Sequence, residues 1–376
     1  MKATANIHLW KGQRTRHSLA FALMAALLTS LTACTDFIFE DRDGCEHGLW
    51  LNLKYDYNLQ RTDMLEHVGS VGVFVYNEQG QYVTSFIEPD LHRADAPRPG
   101  SLYLDLPEGN YRFLAVGGQR SYEDMLAGPG ANFLWKEPAL GDLMEDFSVE
   151  LDHTHLGDDW ALVRHEQEPL DTLWHAVSTQ PVYVPADRYA EQTLSLMRDT
   201  KSISVSLREI DEPETMDVAD YTFAITHRNL YLDYAQMSTG KPVPSTGTRT
   251  AIYTPYATWN TTDDDESTQT RSGEAGRTAH ADFMTARLYA SDDPADDARL
   301  TIRHRDTREA VIEADLCNLL GQLRNYDETR RYTLQEFLDR GYDFRLTFFL
   351  KGGKWQYTDV SIGILGWSKR VMNVDL

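Results

Sequence analysis

Short runs in which apolar and polar side chains take turns, each closed by turn-forming residues, recur along this chain and restrict it to β-structure. Leu49, Leu51 and Leu53 alternate with Trp50, Asn52 and Lys54; Leu102, Leu104 and Leu106 share one face, as do Ile203, Val205 and Leu207. A period of two is the signature of a strand with one face buried. Val71-Gly72-Val73-Phe74-Val75-Tyr76 is closed by Asn77-Glu78-Gln79-Gly80, and 82–87 reads as the returning strand. Pro107-Glu108-Gly109-Asn110 turns the chain into 111–116. Further strands are expected at 147–151, 181–184, 193–197, 221–226, 283–289 and 299–303, with a terminal hairpin of 344–350 and 356–365 around Lys351-Gly352-Gly353-Lys354. Helix is confined to turns near 62–67 and 121–127 and to 333–340, where Thr333 caps and Glu336 follows three residues on. Residues 310–320 read equally as strand or helix. The expected class is all-β, built as sandwiches or barrels.

The connections are also legible. Residues 128–131 and 153–171 read as loops, and 261–279 as a long, polar, mobile one. At the end, Met372, Val374 and Leu376 alternate with Asn373 and Asp375. That strand pattern has no local mate; 368–376 is either a last edge strand or a contact with another protein.

Leu31-Thr32-Ala33-Cys34 ends an apolar run, 18–33, that follows Lys2, Lys11, Arg14 and Arg16. The run is too short to span a bilayer permanently, and a small residue before cysteine suits a signal peptidase. Residues 1–33 are therefore expected to be a lipoprotein signal peptide, and Cys34 the lipidation site. Each buried methylene of an acyl chain contributes about 0.8 kcal/mol, so several chains hold a protein firmly on a membrane. The acidic stretch 34–47 reads as a tether. The body then divides into expected domains at 48–188 and 189–376.

The chain carries 58 acidic against 36 basic side chains, a formal net charge of −22. That balance argues against nucleic acid and against peripheral binding to anionic lipid. Besides Cys34 only Cys45 and Cys317 remain; they lie in different expected domains and are read as unpaired thiols. No G-x-S-x-G elbow and no phosphate-binding glycine loop occurs, so no catalytic residue, cofactor or small-molecule substrate is expected. His153-Thr154-His155 with Asp152, Asp158 and Asp159 is permissive for a metal, as are Asp263-Asp264-Asp265-Glu266 and Asp292, Asp293, Asp296 and Asp297. Solvated loops are the favoured account of all three, and no metal is assigned. The 8 Trp and 19 Tyr suit strand cores or, alternatively, a glycan-stacking platform. Asn260-Thr261-Thr262 is a sequon, and Asp171-Thr172-Leu173 resembles an O-glycosylation site of Bacteroidetes envelopes.

Several segments in shared order carry a family resemblance. They are Asp43-Gly44-Cys45-Glu46-His47-Gly48-Leu49, Lys54-Tyr55-Asp56-Tyr57-Asn58, Val73-Phe74-Val75-Tyr76-Asn77-Glu78-Gln79-Gly80, Leu106-Pro107-Glu108-Gly109-Asn110-Tyr111-Arg112-Phe113, Leu173-Trp174-His175, Leu232-Asp233-Tyr234, Tyr253-Thr254-Pro255 and Ile362-Gly363-Ile364-Leu365-Gly366-Trp367. With the Cys34 motif, the chain resembles the FimB/Mfa-type fimbrial anchor lipoproteins of Bacteroidales, the base subunits of type V pili. The resemblance implies two tandem transthyretin-like β-sandwich domains and a non-enzymatic role in cell adhesion. It further implies an outer-membrane location, an acyl (palmitate) anchor on Cys34, and a fimbrial stalk subunit as partner, joined by strand addition. A cell-surface glycan-binding lipoprotein is the alternative, and a hydrolase a more distant one.

Overall fold

The computed structural model describes residues 47–59, 63–121, 133–241, 249–263, 275–291, 296–325, 332–362 and 368–372. Cys34, Cys45, Trp367 and the expected turn at 121–127, beyond Ser121, lie outside them. Residues 48–376 cluster as one unit. The architecture is all-β, as the alternation demands, with strands numbered β1 to β24 along the chain.

Sheet A orders β12 (Ala190–Ser195), β1 (Leu49–Lys54) and β4 (Ser101–Leu104). Sheet B orders β13 (Met197–Arg198), β10 (Leu173–Val177), β5 (Gly109–Gly118), β2 (Ser70–Asn77) and β3 (Tyr82–Glu88), and β11 (Val182–Val184) pairs with the start of β5. Leu49, Leu51 and Leu53 of β1 meet Val71, Val73, Val75, Phe113 and Ala115 of sheet B in a first core. The opposite face of sheet B, through Phe74, Tyr76, Leu114 and Val116, belongs to a second core. That double burial explains why β2 reads as a continuous apolar run rather than an alternation: a strand covered on both faces has no solvent side for polar residues.

Sheet C orders β16 (Tyr231–Asp233), β7 (Ser148–Leu151) and β6 (Phe133–Trp135) against that second face. The second core continues between two six-stranded sheets. Sheet D orders β21 (Ala310–Asp315), β20 (Arg299–His304), β15 (Tyr221–His227), β17 (Thr250–Tyr253), β9 (Trp160–Val163) and β8 (His153–Leu156). Sheet E orders β18 (Ala257–Thr262), β19 (Arg277–Ala286), β14 (Thr200–Glu209), β22 (Asp343–Lys351), β23 (Lys354–Ile362) and β24 (Ser368–Met372). Among the described residues three short α-helices complete the fold: α1 (Tyr234–Thr239), α2 (Leu316–Gly321) and α3 (Leu334–Arg340). Strands from both sides of position 188/189 enter each pair of sheets: β8 and β9 lie in sheet D, while β12 and β13 complete sheets A and B.

Four expectations change. Residues 153–163 are not a loop but the β8–β9 hairpin, because Ala161 and Val163 are buried and β9 pairs in parallel with β17. The loop expected over 261–279 is shorter: β18 runs through Thr262 and β19 begins at Arg277, joined by a hydrogen bond from the Asp263 N–H to the Gly276 carbonyl at 2.7 Å. Threonine on a strand with one wet face accounts for the polar composition there; 264–274 lie outside the described residues. Residues 310–320 are both strand and helix. The chain switches at Asp315, whose carboxylate accepts from the Asn318 N–H at 2.9 Å as the cap of α2. Within the tail, 368–372 form an edge strand, β24, antiparallel to β23 and with Arg370 paired to Asp359 at 2.8 and 3.1 Å; 373–376 lie outside the described residues.

Full burial of a leucine contributes about 1.5–3 kcal/mol, and truncation adds a cavity. Leu51→Ala, in the middle of β1, is expected to destabilise the protein by about 2–5 kcal/mol, read as a lower urea midpoint. An unchanged midpoint would mean that β1 is not seated in the first core.

Candidate functional site

The chain enters the fold at Gly48, which is fixed by sterics: it has φ +90°, and a Cβ there would lie 2.6 Å from the Leu104 carbonyl oxygen. From Gly48 the chain passes directly into β1, the middle strand of sheet A. On one side β1 runs parallel to β12 with six residue pairs, Leu49↔Ala190 to Lys54↔Ser195; on the other it is antiparallel to β4 with four, Leu49↔Leu104 to Asn52↔Ser101. The Ala190 N–H donates to the Gly48 carbonyl at 2.9 Å and the Leu196 N–H to the Lys54 carbonyl at 2.7 Å, so the ladder is closed at both ends. On the outer face Trp50, Tyr103 and Tyr189 touch edge-on or tilted at 5.5–6.5 Å. Arg98 lies 4.3 Å over the Trp50 ring and pairs with Glu191 at 2.9 Å.

The far end of β1 runs into a buried junction. The Tyr55 ring meets Trp174 edge-on at 6.1 Å. Arg340, the last residue of α3, lies 4.1 Å over the Tyr57 ring, donates to the Asp56 carbonyl at 3.3 Å, and accepts from the Leu59 N–H at 3.1 Å through its own carbonyl. Behind it sits an ionic knot. Arg287 grips Asp339 with two bonds of 2.7 Å and donates to the Gly240 carbonyl at 3.0 Å. Lys201 donates to the carbonyls of Gly341 and Asp339 at 2.8 and 3.0 Å. Arg198 lies 4.4 Å from the Tyr342 ring centroid and 5.3 Å from that of Trp174. His175 Nδ1 donates to Asp199 at 2.6 Å. Asp199 Oδ1 and the Tyr289 hydroxyl are buried without a protein partner. The cavity of about 10 Å³ beside them is the size of one water site.

Burial sets the electrostatics. It works against the Arg287 charge, and the Asp339 carboxylate more than offsets it, so Arg287 is held above its ordinary range. Burial lowers Arg198 and pushes Lys201 down to about 7. It also raises the hydroxyls of Tyr55, Tyr253 and Tyr289.

The residues singled out from sequence do not converge. His153 and His155 lie on edge strand β8 with rings 4.9 Å apart, and His153 Nδ1 donates to the Leu151 carbonyl at 2.8 Å. Among the described residues no group of three or more His, Cys, Asp or Glu is placed to hold a metal ion. Asp297 is raised to about 6 by burial and by the neighbouring Asp315. Thr172 accepts from the Gln119 N–H at 3.2 Å. Asn260 is occupied on both amide atoms by Asp217 and the Val218 N–H, each at 2.9 Å. Cys317 is a buried free thiol. The junction was missed, though a signal existed. Lys201 shares the parity of Ile203, Val205 and Leu207, and Arg287 that of Ala281, Phe283 and Thr285, so continuing the first alternation by one step, or that of Phe283 by two, puts a charge inside.

The unfolded chain keeps the Lys201 proton up to the ordinary 10.5, whereas the folded chain sheds it through about 7. In that window the unfolded state binds more protons, so stability rises with pH. Lys201→Met is expected to flatten the rise in melting temperature between about pH 7 and 9, below the range where the tyrosines ionise. A slope identical to the parent's would show that Lys201 does not titrate there.

The chain matches the family model of fimbrillin-A associated anchor proteins Mfa1 and Mfa2 over residues 42–373. The crystal structure of a candidate adhesin from Bacteroides thetaiotaomicron superposes with a TM-score of 0.69 at 27% identity, covering 87% of this chain and 98% of that one. Candidate polysaccharide binding proteins from the same organism give 0.65 at 22% identity, covering 88% and 100%. The fimbrial anchor protein Mfa2 from Porphyromonas gingivalis gives 0.55 at 16%, covering 87% and 100%; these last two likenesses show a shared fold. No curated protein matches the chain in sequence. From the match over nearly all of residues 48–376, the chain belongs to the family of fimbrillin-A associated anchor proteins.

Proposed function

We propose that this chain is an outer-membrane lipoprotein, held by acyl chains on Cys34, that anchors a fimbria at the cell surface without catalysing a reaction. The observation that carries the reading is the placement of β1. The first strand after the tether is not a peelable edge but the middle of sheet A, with its leucines in the core. A base subunit needs its membrane end fastened to its body in this way. The domain plan that accompanies the reading is a removable leader (1–33), a tether (34–47) and two sandwiches divided near 188/189, laced together by β8–β9 and β12–β13.

Strand addition to the stalk needs an open edge with unpaired backbone groups. β3 offers one. It ends sheet B, exposes Val83 and Ile87, and contains no Lys, Arg or Pro, whereas the edge strand β24 carries Lys369 and Arg370. A glycan platform would need an open aromatic face, and the aromatic cluster on sheet A has Arg98 over its tryptophan.

Cys34→Ala is expected to leave the protein unlipidated and to shed it, with fimbriae, into the medium, while Cys45→Ala partitions as the parent does. Retention of Cys34→Ala in the detergent phase with palmitate label would refute the anchor site. On the partner side, Ile87→Lys is expected to reduce co-purification of stalk protein with melting temperature unchanged. Full recovery of the stalk would exclude the β3 edge.

A further inference from the structure

We propose that β1 and β22 form a load-bearing line through the protein, arranged so that a pull on the N-terminal segment is taken in shear. The proposal rests on the anchoring role, since only an anchored base meets sustained tension. Its geometry stands on the structure alone.

β1 begins at Leu49, directly after Gly48, and ends at Lys54, and 55–59 lie against α3. Arg340 contacts this segment three ways: by its ring contact to Tyr57, its donation to the Asp56 carbonyl, and its carbonyl on the Leu59 N–H. Three residues after Arg340 the chain becomes β22, a central strand of sheet E. β22 pairs in parallel with β14 over eight residues, Ser202↔Asp343 to Glu209↔Leu350, and antiparallel with β23 on its other side. Its far end is pinned as well: the Gly352 and Gly353 N–H groups donate to the two carboxylate oxygens of Glu209 at 2.9 and 3.0 Å. Two central strands therefore meet at the junction, each flanked on both sides.

Ladder hydrogen bonds run across the strands. A pull along β1 loads its bonds to β12 and β4 together and must drag Leu49, Leu51 and Leu53 through the core at the same time. A pull across its end would break one pair after another. Gly48 and Leu104 lie at the same end of sheet A, so the two directions can be applied to the same strand.

Single-molecule pulling on the folded chain tests this. One handle is coupled ahead of His47, and the second to either Lys351→Cys, at the end of β22, or Asp105→Cys, just after β4. The first rupture is expected at several-fold higher force with the Lys351 handle than with the Asp105 handle. Arg340→Met is expected to lower the Lys351-handle force and leave the Asp105-handle force unchanged. Equal forces in the two geometries, or a first rupture in the Lys351 geometry that releases sheet D or E strands while β1 stays seated, would overturn the proposal. An Arg340→Met force equal to the parent's in both geometries would overturn the route through α3. The measurement uses neither lipid nor fimbria, so it can fail while Cys34→Ala still sheds the protein, and the reverse.

Discussion

The grip of Arg287 on Asp339 holds together everything that meets at the centre of this molecule. Its two short bonds tie the end of sheet E to α3, and the same guanidinium reaches the C-terminal cap of α1 at Gly240. Gln335 braces the pair from within α3, donating to Asp339 at 2.9 Å and to the Leu288 carbonyl at 3.0 Å. Charges this deeply buried contribute little net stability over a well-packed apolar substitute, because desolvation offsets much of the attraction. Removing one partner is another matter, since it strands the other charge in a dry interior. Unlike an apolar contact of the same size, the pair is directional, its two short bonds bidentate.

That fixed centre gives the entry strand its meaning. β1 alone would be a short segment of three leucines. Between β12 and β4 it becomes the spine of sheet A, and the residues that follow it are delivered to Arg340 beside the ionic knot. Family membership says that this is an anchor-type chain. The placement of β1 supplies a physical reason why such a chain can be tethered from its front.

Much of this was legible in the residues. The leucines of β1, the turn at Asn77, the Thr333 cap and the terminal hairpin all follow from local rules, because each depends on neighbours a few positions away. The errors share a cause. Residues 153–163 looked like a connection because their buried side, Ala161 and Val163, is small, and their partner β17 lies some ninety residues on in sequence. The polar stretch after Thr261 hid two strand ends for the same reason: threonine at a wet face carries no apolar signal. The tail lacked a visible mate because pairing with β23 spans 363–367. The junction was least visible, since only a three-dimensional partner makes a charge on a core-facing position tolerable.

Sheet B has a consequence for how the molecule comes apart. Val71, Val73 and Val75 face one core, Phe74 and Tyr76 the other, and β5 alternates likewise. The sheet is thus a party wall with a room on each side. Neither room can be opened by water without undressing the wall, and an undressed wall no longer closes the other room. Local opening is therefore confined to the edges, and loss of structure at the centre is all-or-none across both cores. The two cores are lined by different residues, yet as far as melting is concerned they are a single body.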